Sequence, residues 1–271
     1  MPSDAPLRMG RLSFVNILPV HLHLDPDPDL YREITGVPSH LNRLIRGGGL
    51  DVSTVSSVEY AKNRDQYLIL PRLSICSHGP VRSVLLFSRK PPEQWAGGVV
   101  EAPFESDTSV ALVQLLLQER WHLACRLVPE GGAPRPDAVI RIGDRALAEA
   151  AGGHWPLVWD LGQEWRNWTG LPFVYALWVV RRQTAREMPQ AVARLHQALL
   201  SSRDRGREDL AGCSRRAAQV LGGRPTDYLE YFQGLGYHLD AAERQGLSLF
   251  FARLHQAGIL PEPVNLEFFG E

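Results

Sequence analysis

The residues that could do chemistry in this chain are hydroxyls and amides placed just after apolar runs. Asn16 follows Leu12-Ser13-Phe14-Val15, and Ser56-Ser57 follows Asp51-Val52-Ser53-Thr54-Val55. Ser83 opens the run Val84 to Ser88. Thr108 and Ser109 come after Val99-Val100-Glu101-Ala102, and Gly143-Asp144 ends the run Asp137 to Ile142. In open α/β sheets, ligands sit where a strand's carboxyl end turns into a helix. The unpaired N–H groups of a helix start attract carboxylate or phosphate. Such residues could hold a small anion with one or more carboxylates. Each has a plainer reading beside it. Asn16 could cap a helix whose first turn carries Pro19. Ser56 with Glu59 is a capping-box pattern, which leaves Ser57 free to do more. Asp144 could cap the helix that it opens, and Gly143 permits close backbone approach.

Other chemistries find little support. No nucleophile, histidine and carboxylate stand in a triad pattern. There is neither G-x-G-x-x-G nor a P-loop, so no nucleotide cofactor is expected. Cys76, Cys125 and Cys213 are odd in number and form no C-x-x-C pair, which argues against a disulfide framework and a zinc site; no metal is expected. His21 and His23, two apart, point to different faces of a helix. Asp25-Pro26-Asp27-Pro28-Asp29 reads as a rigid turn, because a calcium loop would carry a glycine and a distal Glu. His78, in Cys76-Ser77-His78-Gly79-Pro80, is the one histidine expected near a cleft, either as a solvated turn residue or as a proton-transfer group. A net charge of −1 provides no field toward nucleic acid or an anionic membrane. The arginines from Arg203 to Arg216 are interleaved with Asp204, Glu208 and Asp209 and read as a solvated face. The apolar runs are strand-sized, and the N-terminus has no signal-peptide core. A cytoplasmic monomer or homodimer, with no nucleic-acid or membrane partner, is therefore expected.

A length of 271 residues suits two lobes of an α/β protein. Strands alternating with helices predict βαβ units and mostly parallel sheets. Two crossings, near Ser88 and Leu177, predict a discontinuous first lobe (7–88 plus 177–271), an inserted second lobe (89–176) and a flexible tail (1–6). A central cleft between lobes suits a small ligand enclosed by hinge closure. The pattern also predicts short strands over 68–70 and 73–77 and a helix over 108–121. It predicts Trp165 and Trp168 on one helix face in the core, a helical C-terminal part over 187–257, and an aperiodic tail from Ile259 to Glu271.

The motifs resemble a known family. Ser13-Phe14-Val15-Asn16, Gly36-Val37-Pro38-Ser39 with Leu41-Asn42, Asp51-Val52-Ser53 with Ser56-Ser57-Val58-Glu59-Tyr60, Ser83-Val84-Leu85-Leu86-Phe87-Ser88, Thr108-Ser109-Val110-Ala111-Leu112, Ile142-Gly143-Asp144 with Ala146-Leu147, and Asp160-Leu161-Gly162 with Trp165 through Phe173 occur in this order. Together they closely resemble the chorismate dehydratase family of the futalosine route to menaquinone, over about Leu7 to Leu260. The resemblance implies the two-lobed fold of type II periplasmic-type binding proteins. It implies a hydro-lyase that converts chorismate to 3-[(1-carboxyvinyl)oxy]benzoate and water without a cofactor. Carried over residue by residue, it places Asn16 beside the reacting ring as the catalytic residue. Ser57, Ser83, Thr108 and Ser109 would bind the carboxylates, Gly143 would complete the site, and Asp144 would hold the loop or a substrate hydroxyl. An amide is a poor base, so the substrate's side-chain carboxylate could take the proton, positioned by Asn16, with His78 as the protein alternative. The chain departs from the family pattern at Glu105-Ser106-Asp107, where small hydroxyl residues are usual. Two rivals are the 1,4-dihydroxy-6-naphthoate synthase of the same pathway and a non-catalytic cytoplasmic carboxylate-binding sensor. The Ser83-to-Ser88 motif and the Ser56-to-Tyr60 segment favour the dehydratase.

Overall fold

In the computed structural model, residues 5–95, 97–104 and 106–271 are described, so most of the expected 1–6 tail and the departure at Glu105 lie outside the described residues. The β-branched and aliphatic runs form two sheets. Their strands are β1 (Leu7–Leu12), β2 (Tyr31–Gly36), β3 (Val52–Ser56), β4 (Tyr67–Ser77), β5 (Val84–Ser88), β6 (Val99–Ala102), β7 (Arg126–Pro129), β8 (Ala138–Ile142), β9 (Leu157–Asp160), β10 (Phe173–Arg181) and β11 (Leu235–Gly236). The first sheet has the order β11-β4-β10-β3-β1-β2, and the second has the order β7-β6-β8-β5-β9. The helices are α1 (Leu18–His21), α2 (Pro38–Arg46), α3 (Ser57–Lys62), α4 (Asp107–Leu115), α5 (Gly143–Ala151), α6 (Leu161–Thr169), α7 (Arg182–Glu187), α8 (Pro189–Glu208), α9 (Leu210–Leu221), α10 (Pro225–Gly234) and α11 (Ala241–Gln256).

The sheets are mixed, which corrects the expectation of mostly parallel pairing. β1 pairs in parallel with β2 and β3, and β6 with β7 and β8. β10 runs antiparallel to β3 and β4, and β5 runs antiparallel to β8 and β9. The reason lies in where each strand begins. β3 and β8 end where α3 and α5 begin, as βα units do, whereas β5 and β10 start at that same end because they arrive from the other sheet.

The crossings also lie elsewhere than expected. β5 belongs wholly to the second sheet, and β10 lies wholly within the first. The chain therefore crosses between Ser77 and Val84 and again between Thr169 and Phe173, not at Ser88 and Leu177. Long apolar runs are buried in their sheets, and the polar, glycine-bearing turns make the crossings. Asp160 ties the two together. Its carboxylate caps α6 through the N–H groups of Gly162 and Gln163 (3.0 and 3.1 Å) and also accepts the N–H groups of Val81 and Arg82 (3.0 and 2.6 Å).

The two short strands expected over 68–77 are one strand, bent at Arg72, which has a φ of 59°. The helix expected over 108–121 is α4 followed by a π-helical turn, Leu116–Arg120. Trp165 is fully buried, as expected, and Trp168 is packed beside it. The C-terminal tail is not loose. Ile69 donates its N–H to the Glu267 carbonyl (2.8 Å), and Phe269 returns an N–H to Ile69 (2.9 Å), so the tail covers part of the β4 edge.

Candidate functional site

A cavity lies between the two sheets, at the ends of β3 and β8 and the start of β5, bounding about 600 Å³ of empty space, solvent at its mouth included. The first sheet supplies Leu12, Phe14, Asn16, Val55, Ser56, Ile75, Tyr175 and Ala176. The second supplies Val84, Ser106, Thr108, Ser109, Ile142 and Gly143, and the crossing between them supplies Val81 and Ser83. Apolar walls with a few convergent polar groups are the usual make-up of a small-molecule site.

Asn16 lies in a 3-10 turn, Val15–Ile17, directly after β1. Its backbone carbonyl accepts the hydroxyl of Tyr237 (2.9 Å). Its side-chain Oδ1 is buried with no hydrogen-bond partner among the described residues. The turn is held from the second sheet, because Val15 donates its N–H to Asp144 Oδ1 (3.1 Å). Asp144 thus neither caps α5, whose N-cap is Ile142, nor lines the cavity; it fixes the segment that carries Asn16. Burial raises its pKa above the ordinary carboxylate range, against the opposing pull of the Val15 N–H. Gly143 meets Phe14 face on. Its φ is +57°, and a Cβ there would lie 3.1 Å from three carbons of the Phe14 ring. Both the backbone and the neighbour require glycine at this position.

The α4 start provides three hydroxyls. Ser106 Oγ accepts the N–H of Ser109 (3.2 Å) and lies 2.9 Å from Ser109 Oγ. Thr108 Oγ1 accepts the N–H of Val58 (3.0 Å), which joins α3 of the first sheet to α4 of the second and leaves the Thr108 proton to donate. Ser83 Oγ accepts the Tyr231 hydroxyl (3.1 Å), while its own proton has only a long contact of 3.4 Å to the Val81 carbonyl.

Besides Asp144, two expected residues are elsewhere. Ser57 is fully buried and donates to the Val174 carbonyl (2.6 Å), so it locks α3 onto β10 and does not line the cavity. The capping role of its neighbour is as expected, with Ser56 Oγ accepting the Glu59 N–H (3.2 Å). His78 does not line the cavity either. Its Nε2 lies 2.7 Å from the buried carboxylate of Glu243.

The sequence reading did not single out Phe14, Tyr175 or Tyr231. Tyr175 was visible as a polar-tipped aromatic inside an apolar run. It lines the cavity with its hydroxyl 3.0 Å from Ser77 Oγ. Burial lifts its pKa well above the usual phenol value, so it stays neutral. Among the described residues, no carboxylate, histidine, lysine or arginine side chain lines the cavity. The site offers hydroxyls, an amide and helix starts. It can hold and orient an anion.

Comparison with known proteins agrees with this picture. Residues 7–256 match the family model described as menaquinone biosynthesis. A chorismate dehydratase from Thermus thermophilus is 33% identical over 264 residues, covering 90% of this chain and 94% of the relative. A chorismate dehydratase from Campylobacter jejuni is 30% identical over 173 residues, covering 62% of this chain and 64% of the relative. Among solved structures, an alkanesulfonate-binding protein from Xanthomonas axonopodis pv. citri bound to MOPS superposes with a TM-score of 0.70 at 14% identity, covering 97% of this chain and 96% of that one. A Candida albicans protein with the generic periplasmic binding protein fold superposes with a TM-score of 0.68 at 9% identity, covering 98% of each chain. At such identities the likeness concerns the fold, which is the two-lobed binding-protein fold of mixed α/β type with a helical C-terminal part.

Proposed function

The chain belongs to the menaquinone biosynthesis family, and from that membership we propose that it is a chorismate dehydratase, a carbon–oxygen lyase that removes water from chorismate to give 3-[(1-carboxyvinyl)oxy]benzoate. The observation that carries the reading is the cavity itself. Among the described residues it is rich in hydroxyls, free of ionised side chains, and contains one amide oxygen buried without a partner.

The proposed chemistry suits these groups. Chorismate has two carboxylates, which the Ser106, Thr108 and Ser109 hydroxyls at the α4 start and the Ser83 hydroxyl would bind. Asn16 would face the ring. Its unpartnered Oδ1 would accept from the ring hydroxyl, and its amide N–H would orient the side-chain carboxylate. Loss of the ring hydroxyl and the neighbouring ring proton makes the ring aromatic, so orientation and charge stabilisation supply most of what is needed. The substrate's own side-chain carboxylate takes the proton in this reading, because the described lining residues include no base. Asp144 acts as a positioning residue through the Val15 N–H. The two halves of the site come from different sheets, so the ligand would be gripped between them.

The experiment is direct. Purified protein is mixed with chorismate, and the mixture is followed by chromatography and mass spectrometry. The expected result is a product one water lighter than the substrate. Unchanged chorismate that nevertheless raises the melting temperature would convert the reading to a carboxylate-binding sensor. Neither turnover nor binding would refute chorismate as the ligand.

A further inference from the structure

A second cluster of side chains lies outside the cavity, on the other face of β4. Cys76 and His78 are two residues apart at the end of that strand, so they leave it on one face, opposite Ile75, which lines the cavity. The other half of the cluster comes from the C-terminal part. β11 pairs with β4 at Cys76 through Gly236, where a Cβ would lie 2.5 Å from Cys76 Sγ. The glycine makes room for the thiol. His238 follows, its carbonyl held by Ser74 Oγ and, at 3.7 Å, by Cys76 Sγ. Glu243 stands in the first turn of α11 and is 1% exposed. Its Oε2 is engaged in a capping box with the Asp240 N–H (3.0 Å). Its Oε1 faces His78 Nε2 at 2.7 Å and His238 Nε2 at 3.4 Å. One donor atom from each of the four residues lies within 4.8 Å of the other three.

We propose that Cys76, His78, His238 and Glu243 bind one zinc ion that pins β11 and the start of α11 to the end of β4. This reverses the sequence-based expectation of no metal. One sulfur, two imidazole nitrogens and one carboxylate oxygen form a donor set that zinc accepts in tetrahedral geometry. With metal–ligand distances of about 2.0–2.3 Å, the donors of a tetrahedral site stand roughly 3.3–3.8 Å apart. Closing on an ion therefore needs side-chain shifts of only about 1 Å. A thiolate and a carboxylate would balance the dication, so the loaded site would be neutral, as a half-buried position requires. The soft sulfur and the imidazoles select against magnesium and calcium.

A carboxylate merely shared between two imidazoles accounts for less. Glu243 Oε1 is buried with no hydrogen bond of acceptable geometry, despite the two rings beside it, and His238 Nδ1 is buried without a partner among the described residues. Ion binding gives the carboxylate oxygen a role, and it explains why a thiol is packed against the same point. The place matters too, because the cluster lies just before the turn by which the chain crosses to the second sheet.

The test uses the full chain, stripped with a chelator and titrated with cobalt(II), then with zinc(II) as competitor. The expected result is one equivalent of cobalt. It would show the visible bands of a tetrahedral ion and a near-ultraviolet thiolate-to-cobalt band, both removed by zinc. Cys76→Ser should lose the near-ultraviolet band. His78→Ala, at a half-exposed position that leaves the core untouched, should weaken binding at least about tenfold. Zinc should raise the melting temperature of the wild type and not that of His78→Ala. The absence of a cobalt spectrum at one equivalent, or a wild-type titration in His78→Ala, would overturn the proposal.

Discussion

Asn16 is where the proposed chemistry is most exposed to test. A buried amide oxygen without a donor is unfavourable by about 1–3 kcal/mol, a penalty that a ligand hydroxyl would relieve. Asn16→Ala removes both the acceptor and the amide N–H. It is expected to lower kcat/KM for chorismate by roughly 10²–10³, the loss typical when one preorganised hydrogen-bonding group is removed from a reacting centre. Steady-state rates with far-ultraviolet circular dichroism as a fold control decide the matter, and a change within about threefold would remove Asn16 from the mechanism. Ser57 should behave in the opposite way. Ser57→Ala leaves the Val174 carbonyl without its 2.6 Å donor in a fully buried position. The expected outcome is a loss of about 1–3 kcal/mol in denaturant unfolding, with KM for chorismate unchanged. A raised KM with unchanged stability would return Ser57 to the binding site.

The start of α5 and the 3-10 turn at Asn16 form one device that spans the two sheets. Gly143 lets Phe14 approach, and Asp144 receives the Val15 N–H. Gly143→Ala forces a side chain into a left-handed backbone and against the Phe14 ring, so a destabilisation of about 1–3 kcal/mol and a fall in kcat are expected together. Asp144 adds a pH signature. Its pKa is raised in the folded protein by burial, so the stability it contributes is fully present below the unfolded value of about 3.9 and is lost as pH rises through the folded value. Asp144→Asn should flatten that part of the curve of melting temperature against pH, above the ordinary carboxylate range. An unchanged curve would mean that Asp144 does not titrate there. These elements also mark what could be read from the sequence. The βα turns were legible because an apolar run and a cap are local features, as Ser56 and Glu59 illustrate, and Ser83, Thr108, Ser109 and Gly143 do line the cavity with Asn16. Strand direction, the crossing points, the Ser57 bond to Val174 and the meeting of Cys76 and His78 with Glu243 were not legible. Each depends on which distant segments come to lie side by side, and no local pattern encodes that.

At the scale of the molecule, the two sheets share their main core, and only a small cluster of Leu85, Phe87, Val139 and Ala146 on the other face of the second sheet stands apart. One buried cluster contains Leu7, Met9 and Trp178 of the first sheet together with Leu86, Val100 and Ile140 of the second. The C-terminal helices strengthen the joint. Arg253 of α11 donates to Glu119 (2.6 Å) and lies 4.1 Å over the Trp168 ring, so it grips two segments associated with the second sheet. Tyr231 of α10 reaches Ser83 at the crossing. Halves that share a core and are bridged in this way should unfold together, and calorimetry of the free protein is expected to show one transition whose calorimetric and van't Hoff enthalpies agree. Arg253→Ala should shift that transition down by a few degrees without splitting it. A ligand held between the sheets stabilises the folded state as a whole, by about 2.7 kcal/mol at a concentration of 100 Kd. Saturating 3-[(1-carboxyvinyl)oxy]benzoate should therefore move the single transition up by roughly 5–10 °C. Two transitions, only one of which moved with ligand, would show instead that the lobes melt separately and that the ligand rests on one of them. In that case a cavity built from Asn16 on one side and Thr108 and Ser109 on the other could not be the binding site.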